Sequence, residues 1–178
     1  VEICELVRTR RVDEEVADVT PQRVFCPLVG PENVLRLRYC GNVFGLAGLR
    51  LGFAIGAPAT IRRVSALLGP WAVSGPAQYL GARALDDRDW IAAMKRTLDR
   101  DRVTMQALLD GHGLTETMGT DLFQTVRTPD AAVIHERLAR AHIWTRVFDT
   151  WPDHIRFGIP GTEAGFARLR AALQKEPR

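Results

Sequence analysis

The residues best placed to do chemistry lie between Arg38 and Gly56, in the run RYCGNVFGLAGLRLGFAIG. Arg38 and Arg50 are its only charges, and Gly41, Gly45, Gly48, Gly52 and Gly56 punctuate an otherwise almost wholly apolar segment. The glycines from 41 to 48 predict a loop whose backbone can come close to another group. Leu49 to Ile55, apolar and closed by Gly56-Ala57-Pro58, predicts a buried strand. An arginine at the start of such a strand demands an anion, because an unpaired buried charge is very costly. A carboxylate elsewhere in the fold would meet that demand as well as an anionic ligand would, and the spacing does not choose between them.

Other reactive side chains give less. Cys4, Cys26 and Cys40 are odd in number and far apart, which fits neither a disulfide framework nor a zinc site. Buried thiols in a reducing cytoplasm are the expectation. His112, His135, His142 and His154 show no ligand spacing, so no metal is expected. The net charge of +3 and pI near 9.1 come from 24 basic residues, of which only Lys95 and Lys175 are lysines. That excess is spread along the chain, so no nucleic-acid partner is expected. No run reaches the ~18 apolar residues of a membrane span, and no signal-peptide pattern is read. At 178 residues, 46% apolar and 25% charged, the chain can bury one good core, or one domain and part of another.

The elements that would position these residues can be read in outline. Ile3, Leu6 and Val7 share a helical face, and a strand is expected to end near Val12-Asp13. Asn33 to Arg38 predicts a strand leading into the glycine loop. Pro58 opens a helix with Ile61, Val64, Leu67 and Leu68 at helical spacing, stopped by Gly69-Pro70. Trp71 reads as core. Ser74 and Pro76 start a helix to about Leu85, and Asp86 to Leu109 reads as a long helix capped by Asp86 or Asp87 and ended at Gly111. Leu114–Met118 and Leu122–Val126 are strand candidates. Thr128-Pro129-Asp130 opens a helix to about Ala141 with Val133, Ile134 and Leu138 inward. Ile143–Phe148 and Ile155–Phe157 are further strands, and Thr162 caps a last helix bearing Phe166, Leu169 and Leu173.

The wording of the central stretch, Tyr39-Cys40-Gly41-Asn42-Val43-Phe44-Gly45-Leu46-Ala47-Gly48-Leu49-Arg50-Leu51-Gly52, resembles the segment around the cofactor lysine of fold-type I pyridoxal-phosphate enzymes, the class I/II aminotransferase superfamily. Within it the chain is most similar to the threonine-phosphate decarboxylases of cobalamin biosynthesis. Further matches are Val12-Asp13-Glu14-Glu15-Val16-Ala17-Asp18, Pro70-Trp71-Ala72-Val73-Ser74, Ile143-Trp144-Thr145-Arg146 and Ile155-Arg156-Phe157-Gly158-Ile159-Pro160-Gly161. The resemblance implies an α/β fold: the C-terminal part of the large aminotransferase-type domain over residues 1–85, a connecting long helix over 86–111, and a small α+β domain over 112–178.

The same resemblance implies roles. Pyridoxal phosphate is the family's cofactor, with Asp13 facing its pyridine nitrogen and making the ring an electron sink. Arg50 would hold its phosphate, and Gly41 would be a further cofactor-binding residue. Arg156 would grip a substrate carboxylate and Arg146 a substrate phosphate, for which arginine's planar fork is suited; the residues themselves leave open that both pair with Asp149 or Asp153. Asn42 stands at the Schiff-base lysine, and its delocalised amide lone pair cannot form the imine that the chemistry requires. Tyr39 replaces a small hydroxyl, Val16 an aromatic residue, and Arg10-Arg11 apolar ones. The expected protein is a truncated or degenerate relative of an L-threonine phosphate decarboxylase, inactive alone and without an intact catalytic residue. A relative of the histidinol-phosphate aminotransferases and a non-enzymatic subunit that docks a complete homologue are the alternatives. Expected partners are a phosphorylated amino acid and either a second copy or a missing-half chain.

Overall fold

In a computed structural model of the chain, residues 10–13 and 34–174 are described. They fall into two compact units, residues 1–92 and 93–178. Ile3, Leu6, Val7, Cys4, Val16 and Cys26 lie outside the described residues.

The first unit holds a three-stranded sheet, β1 (Arg10–Asp13), β2 (Val34–Tyr39) and β3 (Gly52–Gly56), in that order. β1 runs parallel to β2, which places Asp13 at the C-terminal end of β1 opposite Leu37; β3 is antiparallel, with Tyr39 opposite Gly52. α1 (Pro58–Leu68) begins at a proline, whose missing N–H is no loss in a first turn. It packs Val64 and Ile61 on Leu35 and Leu37 of β2. α2 (Gly75–Asp86) is capped by Ser74, whose Oγ accepts from Ala77 N at 3.3 Å. Ala77 joins Cys40 and Leu51 in a second small core.

Several expectations are corrected here. The strand expected over Leu49–Ile55 starts three residues later, and β3 is largely exposed; Leu51, before it, is the buried residue. Ala47–Leu49 form instead a single 3-10 turn, closed by Arg50 in the left-handed conformation (φ 53°, ψ 37°). Trp71 is 94% exposed, not core. It sits in the short connection between α1 and α2 with φ 66°, where no described element covers it. Leu67 and Leu68 also face outward, because the stripe that meets β2 ends at Val64.

The division between units falls inside α3 (Arg88–Asp110), whose first turn is capped by Asp87 Oδ1 accepting from Trp90 N at 3.0 Å. In the second unit Met105, Leu108 and Leu109 from its last turns enter a core with Val126, Ile155 and Phe157. The sheet there is antiparallel, in the order β4 (Thr117–Thr120), β5 (Phe123–Arg127), β7 (Trp151–Gly158), β6 (Arg146–Phe148). One face packs on α4 (Ala131–Arg140) and α5 (Glu163–Leu173), through Ala131, Ile134, Leu138, Phe166, Leu169 and Leu173. Thr162 caps α5 by accepting from Gly165 N at 3.1 Å.

Here too the strands are shifted from their expected bounds. Leu114 is not strand: it is buried in the core, and its N–H returns to Leu109 O across Gly113 (φ 77°), a left-handed helix ending suited to glycine. The β4–β5 turn is therefore Asp121-Leu122, with Thr120 opposite Phe123, and Gly119 and Thr120 belong to β4. β6 is shorter and β7 longer than expected. Val133 is 65% exposed, since the buried stripe of α4 runs through Ala131, Ile134 and Leu138.

Candidate functional site

The glycine loop turns on Tyr39. Its ring lies against Gly41, where a Cβ would overlap it, so that position tolerates no side chain without a shift of the ring. Arg50 Nη1 donates to Tyr39 Oη at 2.9 Å, and that hydroxyl donates to Ala47 O at 3.0 Å. Arg50 Cζ stands 5.7 Å from the ring centroid. The buried ion pair expected of Arg50 is thus replaced by an exposed guanidinium bonded to a phenol. Asn42 projects from the same loop and is exposed, whereas Gly41 and Val43 on either side are buried. Gly45 takes φ 64°, a left-handed turn that explains a glycine there. A cavity of about 540 Å³ opens beside the loop, lined by Phe44, Leu46, Arg83, Asp86, Asp87 and Trp90, with the Phe44 and Trp90 rings stacked at 5.4 Å.

These residues do not fit a covalently held pyridoxal phosphate. Asn42 offers no amine. The guanidinium that the resemblance assigns to the cofactor phosphate is engaged by Tyr39, a ring where the family keeps a small hydroxyl. No catalytic step through the cofactor follows from this loop.

In the second unit, the sheet face away from α4 and α5 carries the other predicted residues. The register places Thr125, Arg156 and Arg146 in one row across β5, β7 and β6. Directly opposite residues in an antiparallel pair have Cα atoms about 4.5–5.5 Å apart, so Arg146 and Arg156 are immediate neighbours on one face. Neither has a carboxylate partner among the described residues. Asp153, one of the two carboxylates that could have neutralised them, is taken by Arg127 Nε at 2.9 Å and His154 Nδ1 at 2.7 Å. The hydrogen bond from Arg127, then that from His154, holds the Asp153 carboxyl below its usual value.

What stands beside the two guanidiniums is aromatic. Arg156 Cζ is 4.8 Å from the Phe123 centroid and 6.0 Å from that of Phe148; Arg146 Cζ is 5.3 Å from Phe148. Neither phenylalanine was singled out from the sequence. Phe148 follows Arg146 by two residues, the period of a strand face, and that was the available signal. Two like charges set opposite each other destabilise a sheet. A pair kept without a carboxylate, with its N–H donors unspent, can take an anion in bidentate fashion.

Elsewhere in this unit Arg102 Nε meets Asp121 Oδ1 at 3.0 Å. Burial, and then the nearby Asp99, push the Asp121 carboxyl above its usual value. Among the described residues no group of three or more His, Cys, Asp or Glu side chains could hold a metal ion. Nor is any described helix long and apolar enough to cross a membrane.

The family described as aminotransferase class I and II matches residues 17–173. Threonine-phosphate decarboxylases from a Sinorhizobium species and from Pseudomonas aeruginosa are 43% and 39% identical, over 92% and 93% of this chain and 49% and 50% of their own. The chain spans about half the length of the curated relatives it matches. Among solved structures, histidinol-phosphate aminotransferase from Sinorhizobium meliloti, in complex with pyridoxal-5'-phosphate, superposes with a TM-score of 0.82 at 23% identity. The match covers 93% of this chain and 47% of that one, and shows a shared α/β fold.

Proposed function

Because the chain belongs to the aminotransferase class I and II family, whose cofactor is pyridoxal phosphate, we propose that it is a threonine-phosphate decarboxylase relative that keeps the substrate grip and has lost the imine-forming amine. Its ligand is a phosphorylated amino acid of the L-threonine phosphate class, and the ancestral reaction is loss of carbon dioxide in cobalamin biosynthesis. By itself the chain binds and does not decarboxylate. Cytoplasmic placement goes with that role. The identities of 43% and 39% to decarboxylases favour this substrate class over histidinol phosphate.

One observation carries the reading: Arg146 and Arg156 face the same side of the sheet with no carboxylate partner among the described residues. The substrate's carboxylate and phosphate supply the negative charge that the protein leaves out. A partner chain is proposed as well, either a second copy or a complete homologue. Trp71 and the outward Leu67 and Leu68 support it, since exposed apolar residues of this size gain from being covered.

Calorimetric titration of the full chain with O-phospho-L-threonine tests the proposal. Binding to the wild type, weakened by Arg156→Gln and by Arg146→Gln, is expected, with no carbon dioxide released when pyridoxal phosphate is added. Absence of binding, or binding indifferent to both substitutions, would overturn the anion-grip reading. Release of carbon dioxide would overturn the claim that the chain is inactive alone.

A further inference from the structure

Two adjacent arginines without carboxylates raise a physical question: what keeps their side chains on the site. A free arginine carries about 2 kcal/mol of rotamer entropy, and mutual repulsion drives the two guanidiniums apart. Phe123 and Phe148 stand beside the two arginines on the open face, each guanidinium carbon 4.8 to 6.0 Å from a ring centroid. Phe148 serves both arginines, and Phe123 serves Arg156 alone. A ring face attracts the charge of a guanidinium electrostatically. Unlike a carboxylate, it consumes none of the five N–H donors, which stay available to a ligand.

We infer that Phe148 and Phe123 are positioning residues, which preset Arg146 and Arg156 for anion binding in place of acidic partners. Arg127 and Arg140 show that contrast, paired with Asp153 and Glu136 at 2.9 and 2.6 Å. The inference rests on the reading that Arg146 and Arg156 grip the ligand's anionic groups. It adds a specificity consequence: with one ring shared by both, the two guanidiniums are preset together for two anionic groups of one ligand. A ligand with a single anionic group gains only one of them.

The experiment uses the full chain, with O-phospho-L-threonine and inorganic phosphate as probes, titrated by calorimetry and followed by arginine-selective NMR. Phe148→Leu keeps bulk and loses the ring; its affinity for O-phospho-L-threonine is expected to fall about 2- to 30-fold, the range of one to several weak cation–π contacts. Phe148→Tyr, which restores a ring, returns wild-type affinity. Phe123→Leu weakens binding less than Phe148→Leu does. Inorganic phosphate is affected less than the two-headed probe. In the wild type the Arg146 and Arg156 Nε–H resonances are displaced by ring currents, and in Phe148→Leu they move to ordinary arginine positions. A folded Phe148→Leu chain that binds like wild type, while Arg156→Gln does not bind, overturns the positioning role and leaves the grip standing. A wild type that binds neither probe overturns both. If Phe148→Leu does not fold, the wild-type spectrum decides: displaced resonances support the inference and undisplaced ones overturn it.

Discussion

Replacing Tyr39 by serine should free Arg50 and tighten anion binding at the glycine loop. In the folded chain Arg50 Nη1 is committed to Tyr39 Oη at 2.9 Å, and its Cζ lies 5.7 Å from that ring. An anion that recruits Arg50 must displace both of these contacts, while the longer bond from Nη1 to Ala47 O at 3.4 Å does not depend on Tyr39. An exposed cation–π contact is worth about 0.5–1 kcal/mol, and a hydrogen bond about 0.5–1.5 kcal/mol net. Together they oppose an incoming anion by about 1–2.5 kcal/mol, or roughly 5- to 70-fold in Kd. Arg50 is exposed, so the lower end, about fivefold, is expected. The substitution also lifts the ring from Gly41, where it leaves no room for a Cβ. The assay is inorganic phosphate titration of the full chain, with Arg146 and Arg156 both changed to glutamine so that binding reports on the loop. The Arg50 Nε–H resonance is the probe. A folded Tyr39→Ser chain with unchanged or weaker phosphate affinity would show that Tyr39 does not compete for Arg50.

Three further outcomes are expected. Asn42→Lys alone restores no decarboxylation of O-phospho-L-threonine with added pyridoxal phosphate, because Tyr39 still occupies Arg50; measured turnover would mean that this chain holds a fuller site. Leu138→Ala, at a side chain with no exposure in the core of the second unit, costs about 2–5 kcal/mol by urea denaturation, and a loss under 1 kcal/mol would contradict that packing. The Asp153 carboxyl is held below its ordinary value of 3.8 by Arg127 and His154, so its contribution is present above that value and is lost as pH falls through the lowered one. The wild-type urea midpoint should therefore approach that of Asp153→Asn on acidification; a gap that widens instead would reverse the sign.

Helix ends were legible because their chemistry is local. Pro58 and Gly69, Ser74, Asp87 and Thr162 each act on backbone groups within a few residues, and each does so in the structure. The family was legible for a related reason, since its motifs are contiguous words such as Phe44-Gly45-Leu46-Ala47-Gly48-Leu49-Arg50. Burial was harder to read, because it depends on what lies across from a residue. Trp71 and Val133 are apolar yet exposed, and Leu114 looked like strand yet ends a helix. Arg50 looked like a buried cation because its neighbours are apolar; a left-handed backbone turns it to Tyr39 instead. The grouping of Phe123, Arg156, Phe148 and Arg146 depends on the register of three strands, and nothing in any one of them announces it.

The sheet of the second unit has a consequence for how this chain reaches its fold. β4–β5 and β6–β7 are each closed by a two-residue turn, whereas β5 meets β7 only by setting Val126 against Ile155 across the whole of α4. The hairpins close locally in microseconds; the central pairing carries the loop-closure entropy and sets the pace. Ile155, fully buried and opposite Val126 in that pairing, is expected in the nucleus. In stopped-flow measurements Ile155→Val should slow folding more than it hastens unfolding. The reverse pattern would place the nucleus outside that pairing. The order bears on the proposed anion site: Arg156 and Phe123 are brought together in that pairing, so a grip built on them would be complete only when the domain itself is.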